Sequence, residues 1–140
     1  MEPTTILPVI SLLLLVSVEY SGWSLLGFLT GRGQLGQFRE QFFRAGHAHA
    51  GVWLVLSLVA LRYVDEASLS EGMRWVVRLA FPAAAILMPL AFFLSVLSPE
   101  ATEPNAMIYL AYVAGLVLAV GLLMLGVGLM RGRRTVREPA

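Results

Sequence analysis

The chain consists of four long apolar runs that are separated by short polar stretches. The runs cover about residues 5–29, 44–64, 75–97 and 106–130. A helix needs about 20 apolar residues to cross the hydrocarbon core of a bilayer, and every run reaches that length. The pattern therefore predicts an all-α integral membrane protein, with residues 1–140 forming a single domain that is a four-helix bundle.

The composition agrees with a membrane protein and removes several classes of function. Hydrophobic residues make up 58% of the 140 residues and the mean hydropathy is +0.77, which is more apolar than a soluble domain. The chain has no cysteine, which excludes disulfides and thiolate chemistry. No phosphate-binding loop or basic–aromatic patch occurs, so the expected partner is the lipid bilayer and not a nucleic acid.

The connection between the first two runs, residues 30–44, is rich in glycine, arginine and glutamine. Leu35, Phe38 and Phe42 recur in it at helical spacing, while its charged residues fall elsewhere. This spacing predicts a short amphipathic helix that lies in the membrane interface between spans 1 and 2. An ordinary loop with scattered apolar residues is the alternative.

The arginines predict the orientation of the four spans, which place both termini on one side. The first connection carries three arginines and the last connection none. The middle connection and the tail carry seven, namely Arg62, Arg74, Arg78, Arg131, Arg133, Arg134 and Arg137. The positive-inside rule then predicts a multi-pass protein of the cell membrane with both termini in the cytoplasm.

Glu19 interrupts the first apolar run. A carboxyl group facing lipid is costly, and intramembrane ionisable residues commonly mark functional sites. We therefore expect Glu19 to face the interior of the bundle. Together with His47 it also suggests a relay for protons or small solutes in a minimal transporter.

Both histidines of the chain, His47 and His49, lie at the start of the second run among alanines and glycines. Positions i and i+2 of a helix point about 200° apart, so a compact zinc site from this pair is not expected. A bis-histidine haem within one chain is excluded as well, because the two rings diverge on one helix and no third histidine exists on a facing helix. Two arrangements remain open: one histidine as a single axial ligand, or a site shared between protomers.

His49 is the better candidate for a metal ligand, because its helix face continues through small and apolar residues to Trp53. That face offers a shallow floor for a flat macrocycle. His47 shares its side with Gly51, and it is a candidate hydrogen-bond donor beside the ligand or a partner for a propionate. Arg44, one turn before His47, is a second candidate partner for a propionate.

The segment Arg44-Ala45 followed by Ala48-His49-Ala50-Gly51, at the start of a helix in a small four-span protein, resembles the styrene oxide isomerase family. The hydroxylaminobenzene mutases are similar in size and layout. The resemblance implies a trimeric four-helix membrane enzyme that binds haem b through one histidine, which His49 would match. It also implies that ferric iron acts as a Lewis acid, opening an epoxide and allowing a hydride shift without redox turnover.

The resemblance extends to other site residues less closely. It implies that Tyr109 or Tyr112 corresponds to the family's tyrosine on the substrate side. The family carries an asparagine six residues beyond the ligand, and Val55 stands at that position here. We do not carry the family's substrate over to this chain.

The leading hypothesis is a haem b-binding membrane protein that acts as a Lewis-acid isomerase of a small apolar substrate and forms a homo-oligomer. The catalytic candidates are Tyr112, Tyr109 and Glu19. A minimal transporter that uses Glu19 and His47 is one alternative. A non-catalytic accessory subunit that packs through the small-residue face Ala111-Gly115-Ala119 is another.

Overall fold

The computed structural model describes residues 3–137, with the side chains of residues 5–132, and this part of the chain contains helices and turns but no strand. The helices are α1 (Pro3–Leu29), α2 (Gln37–Tyr63), α3 (Glu71–Ser95) and α4 (Leu110–Arg137). Short 3-10 turns, Val64–Glu66 and Ala106–Tyr109, precede α3 and α4. All four helices are long and apolar enough to cross a membrane, so the prediction of an all-α chain with four such helices is confirmed. The side chains of Arg133, Arg134 and Arg137 lie outside the described set.

The helix α3 is the centre of the arrangement. It packs along α2 on one side and along α4 on the other, while α1 packs mainly on α2. Half of the apolar stretch of α3 is buried (50%), compared with 6% of the stretch in α1. Within the described residues α1 and α4 make no extensive contact. The four helices therefore form an open bundle, packed in the order α1–α2–α3–α4.

Small residues allow α4 to approach α3 closely, but they are not the residues of the Ala111-Gly115-Ala119 face that the sequence suggested for packing. A methyl group added at Gly121 would lie 3.0 Å from Cβ of Ala80, so the contact leaves no room for a larger side chain. A methyl group added at Gly115 would meet no described atom within 4 Å. The centre of the Ala111-Gly115-Ala119 face is therefore not used for packing inside the chain.

A tight turn at residues 30–36 joins α1 to α2. Gly31 has φ +87°, in the left-handed region that favours glycine. The N–H groups of Gly31 and Arg32 donate to the carbonyl oxygens of Phe28 and Gly27, at 3.2 and 2.9 Å. This is the hydrogen-bond pattern of a Schellman motif, which satisfies the last carbonyls of a helix.

The helix α2 begins at Gln37, earlier than the predicted second span, so the predicted interfacial helix is not a separate element. Phe38 and Phe42, which suggested it, lie in the first turns of α2, because no glycine or proline interrupts the chain between Gln37 and Ala45, whereas Leu35 precedes the helix. Arg39 anchors these turns to the end of α3, since its Nε donates to the carbonyl oxygen of Val96 at 3.0 Å.

A buried cation joins the end of α2 to the start of α3. Arg78 is only 6% exposed, and its guanidinium lies 2.6 Å from Oδ1 of Asp65 and 2.8 Å from Oε1 of Glu71. The ring of Trp75 lies 5.3 Å from the guanidinium carbon. A buried charge requires such partners, and here they fix the 3-10 turn against the first two turns of α3.

Asn105 links the end of α3 to the beginning of the last helical segment. Its side-chain amide donates to the carbonyl oxygen of Leu94 at 3.0 Å, and its Oδ1 accepts from the N–H of Met107 at 2.8 Å. Its backbone N–H donates to the carbonyl oxygen of Ser95 at 2.9 Å. One side chain therefore caps two helical segments at once.

Candidate functional site

The two histidines of α2 point at different neighbouring helices, as expected for positions two residues apart. His47 faces α1, where its Nδ1 lies 2.9 Å from Oγ of Ser21. A methyl group added at Gly22 would lie 2.8 Å from Cε1 of His47, so the ring packs directly on the backbone of α1. His49 faces α3 and stacks on Phe92, with ring centroids 5.3 Å apart.

The hydrogen bond of His49 assigns its tautomer. Nδ1 lies 2.8 Å from the carbonyl oxygen of Ala45, one turn earlier in the same helix. Because a carbonyl only accepts, Nδ1 must carry the proton, and the lone pair of the neutral ring lies on Nε2. Nε2 has no hydrogen-bond partner within the described residues. Metal-ligating histidines commonly have this arrangement, with Nδ1–H on a carbonyl and Nε2 free.

The same reasoning assigns His47. The hydroxyl of Ser21 lies 2.8 Å from the carbonyl oxygen of Val18, to which it donates its one proton. Its oxygen must then accept the proton of Nδ1 from His47, because both contacts are hydrogen bonds only in that arrangement. The neutral ring of His47 therefore also presents its lone pair on Nε2.

A shallow depression beside His49, which we call the His49 pocket, has a volume of about 200 Å³. It is lined by Ala48, His49, Val52 and Trp53. The edge of the Trp53 ring meets His49 at a centroid distance of 5.8 Å and an interplanar angle of 74°. The floor beside the imidazole is thus small and apolar, with one aromatic wall.

A second depression, which we call the α1–α2 groove, has a volume of about 470 Å³ and shares Ala48 and Val52 with the His49 pocket. Glu19 and His47 both line it, so the structure brings these two predicted residues together. Gly51 also lines the groove, and a methyl group added there would meet Val18 at an ordinary 3.6 Å.

The expectation that Glu19 faces the interior of the bundle is wrong for the single chain. Its side chain is exposed and lines the α1–α2 groove. The physical reason is the open arrangement of the helices, in which α1 packs mainly on α2 and its remaining surface is uncovered.

Three predicted site residues lie away from both depressions. Tyr109 and Tyr112 are exposed and stack on each other, with ring centroids 6.2 Å apart. Neither lines the His49 pocket or the α1–α2 groove. Arg44 is exposed as well, and its guanidinium lies 3.5 Å from Oε1 of Glu40 on the surface of α2.

Two contacts of the site had no assigned role in the sequence. Ser21 holds His47, and Phe92 supports the ring of His49. A sequence signal for Ser21 is present, because Ser17, Ser21 and Ser24 recur at helical spacing on α1. For Phe92 the signal is its predicted depth, since the end of the third span lies at the same level as the start of the second.

Comparisons of the chain with protein-family models, with curated proteins and with solved structures find no match. Within the described residues no group of three or more histidine, aspartate or glutamate side chains is placed to hold a metal ion.

Proposed function

We propose that this chain is a membrane protein that binds haem b through Nε2 of His49. The hydrogen bond from Nδ1–H of His49 to the carbonyl of Ala45 is the observation that carries the proposal, because it leaves Nε2 as a free lone pair. The small floor of Ala48 and Val52 suits the flat face of a macrocycle. The resemblance to the styrene oxide isomerases points to the same residue.

We further propose that the functional unit is a homo-oligomer, a trimer if the resemblance holds. The His49 pocket alone measures about 200 Å³, below the range of about 300–1,000 Å³ that is usual for small-molecule sites. A second surface is needed to enclose a macrocycle there. The exposed carboxyl of Glu19 supports the same proposal, because leaving it against lipid is costly.

In the proposed orientation the four helices cross the cell membrane with both termini in the cytoplasm, as the arginine distribution favours. The histidines then lie in the outer half of the bundle. The first turns of α2, with Phe38 and Phe42 packed together at 4.8 Å, would lie in the outer interface. The ion pairs of Arg78 would lie near the cytoplasmic interface.

The reaction class we propose is the isomerisation of a small apolar substrate. His49 would hold the haem, and its iron would supply a Lewis acid for a substrate oxygen. Glu19 and His47 line the neighbouring groove, where they can hydrogen-bond a substrate and hold a proton. Val55 lines the same groove, so the polar group that the family places at this position would come from Glu19.

The two tyrosines and Arg44 fit this proposal only in an oligomer. Tyr109 and Tyr112 are exposed and do not line the site of their own chain, so they would reach a substrate from a neighbouring subunit. Arg44 is exposed near the start of α2, and it would be the partner of a haem propionate.

The test is the absorption spectrum of the protein purified in mild detergent from haem-replete cells. We expect a Soret band that is lost in His49→Ala and retained in His47→Ala, with both variants eluting as folded protein in size-exclusion chromatography. Colourless wild-type protein, or a band that His49→Ala retains, would overturn the proposal.

A minimal transporter is the second candidate, because Glu19 and His47 line one groove. Proteoliposomes that enclose a pH-sensitive dye test it: we expect proton uptake that Glu19→Gln abolishes. A colourless protein without flux would instead favour an accessory subunit, for which the Ala111-Gly115-Ala119 face remains open at Gly115.

A further inference from the structure

The two outer helices of the open bundle each leave one face uncovered. The helix α1 packs mainly on α2, and α4 packs on α3, while α1 and α4 make no extensive contact within the described residues. Apolar side chains on the uncovered faces need no protein partner, because lipid tails are as apolar as leucine. The polar groups on these faces are therefore the ones that indicate what covers them.

Polar groups are exposed on both outer helices. The carboxyl group of Glu19 on α1 is exposed, and it has no hydrogen-bond or ion-pair partner within residues 5–132. Tyr109 and Tyr112, at the start of the last helical segment, are also exposed, and their hydroxyls have no hydrogen-bond partner in the same range. A phenol hydroxyl can donate and a carboxylate only accepts, so the two sets of groups are complementary.

Contacts between neighbouring helices give the level of Glu19 along the bundle. Ser21 of α1 accepts a hydrogen bond from His47 of α2. Because α1 and α2 run in opposite directions, the level of Glu19, two residues before Ser21, is that of His49. The ring of His49 stacks on Phe92, and this contact carries the same level to α3.

The same counting continues from α3 to the last helical segment. The side-chain amide of Asn105 donates to the carbonyl oxygen of Leu94, where α3 ends. These two segments also run in opposite directions, so the level two residues before Leu94 is reached within one helical turn after Asn105, close to Tyr109. Tyr112 lies three residues farther on, about 4.5 Å. Both tyrosines are therefore within about 8 Å of the level of Glu19.

A second copy of the chain can bring these groups together, whereas one chain does not. Neither tyrosine lines the α1–α2 groove that contains Glu19 in its own chain. Copies inserted in the same orientation are related by rotation about an axis normal to the membrane, which leaves each residue at its own depth. A contact between two different faces, here α4 of one copy and α1 of the next, closes into a ring when the rotation allows it. Lipid tails offer no donor to a carboxyl group, whereas the next copy offers two hydroxyls.

We propose that α4 of one copy packs on α1 of the next, with a hydroxyl of Tyr109 or Tyr112 donating to the carboxyl group of Glu19. The inference rests on the proposed homo-oligomer and is independent of haem binding. It also deepens the proposed site, because Glu19 lines the α1–α2 groove and the neighbouring copy would supply the donor there.

Disulfide cross-linking of the full-length protein in proteoliposomes tests the interface, because the chain has no cysteine of its own. Leu12 is exposed and lies seven residues before Glu19, on the same face of α1. Leu116 is exposed and lies four residues after Tyr112, on the same face of α4. We expect oxidation to link Leu12→Cys/Leu116→Cys into a ladder of multimers. Each single variant should stay unlinked, because a heterologous contact places unlike helices together.

Leu12→Cys/Met130→Cys is the matched control for depth. Met130 lies on the same face of α4 as Leu116 and is as exposed, at 62% compared with 66%. It stands about 21 Å from Leu116 along the helix, so this pair should give no link.

The hydrogen bond is tested by diluting Leu12→Cys/Leu116→Cys with lipid and measuring the linked fraction. Replacing both tyrosines by Tyr109→Phe and Tyr112→Phe should weaken association about 2- to 10-fold, as for loss of one hydrogen bond. In a Glu19→Leu background the same replacements should have no effect, because the acceptor is already absent. Replacements that leave association unchanged when Glu19 is present would overturn the proposed hydrogen bond.

The remaining outcomes separate this inference from the proposals before it. Links in either single variant, or equal linking of the Met130 control, would overturn the interface. Light scattering that shows an oligomer without a link between Leu12→Cys and Leu116→Cys would overturn the interface alone, and a monomer at every lipid ratio would overturn the homo-oligomer as well. Colourless protein that still forms the link would overturn haem binding and support this interface.

Discussion

The contact between Gly22 and His47 allows the packing of α1 to be tested directly. A methyl group at Gly22 would lie 2.8 Å from Cε1 and 3.1 Å from Nε2 of the imidazole. The atoms that would clash belong to a ring held at Nδ1 by Ser21. Gly22→Ala must therefore either push the two helices apart or turn the ring and break that hydrogen bond.

The expected magnitude follows from three opposing effects. Overpacking a close contact costs about 1–3 kcal/mol. Loss of the hydrogen bond between Ser21 and His47 adds about 1 kcal/mol. Alanine in a helix is favoured over glycine by about 0.5–1 kcal/mol, which offsets part of the cost. We therefore expect Gly22→Ala to lower the free energy of unfolding by about 1–3 kcal/mol.

The assay is reversible unfolding in one detergent, read as a double-mutant cycle with His47→Ala. Without the ring the clash and the hydrogen bond are both absent, so Gly22→Ala should then stabilise the protein by about 0.5–1 kcal/mol. Gly51→Ala is the matched control on the other helix of this interface, because its methyl group would meet Val18 at 3.6 Å. It should be neutral or slightly stabilising.

The reasoning is refuted if Gly22→Ala has the same effect with and without His47, since the coupling between the two positions would then be zero. A Gly51→Ala variant as unstable as Gly22→Ala would also contradict it. That result would mean that the whole α1–α2 interface rejects a methyl group, irrespective of the ring.

Three further predictions are checked by thermal unfolding in the same detergent. Gly46→Ala should destabilise the protein by about 1–3 kcal/mol because its methyl group would lie 2.6 Å from a phenylalanine ring of α3, whereas Gly126→Ala, with no described atom within 4 Å, should not. Arg78→Met should lower the free energy of unfolding by about 1–3 kcal/mol, because Asp65 and Glu71 lose their buried partner. Arg62→Met removes only an exposed ion pair and should lower it by less than about 1 kcal/mol. Asn105→Ala should lower the free energy of unfolding by about 1–2 kcal/mol, because the side chain loses two hydrogen bonds. An unchanged melting temperature would contradict the capping role of Asn105.

The number and type of the helices could be predicted from sequence because an apolar run of about 20 residues has few alternatives to a spanning helix. The lack of a glycine or proline between Gln37 and Ala45 is visible in the sequence, but the hydrogen bond from Arg39 to Val96 that anchors the start of α2 is not, because Val96 lies on a distant part of the chain. The open packing order of the four helices could not be predicted from the sequence either. Lipid and protein interiors are similarly apolar, so composition does not show which face of a helix is buried.

Part of the candidate site stands out in the sequence because polar groups are rare in apolar runs. This is how Glu19 and the two histidines were found. Their hydrogen bonds were not predictable, since the partner of His47 lies on another helix and the bond of His49 depends on its rotamer. The exposure of Glu19 depends on how completely the other helices enclose α1, which local spacing does not show.

The two histidines differ in how much of their chemistry the fold itself uses. His47 bridges α1 and α2 through Ser21, and α1 packs mainly on α2, so helix packing alone is sufficient to account for His47. The polar atoms of His49 join no two helices, because Nδ1 bonds to Ala45 of the same helix and Nε2 bonds to no described residue. Helix packing therefore uses the imidazole of His47, and the haem proposal concerns the nitrogen of His49 that takes no part in it.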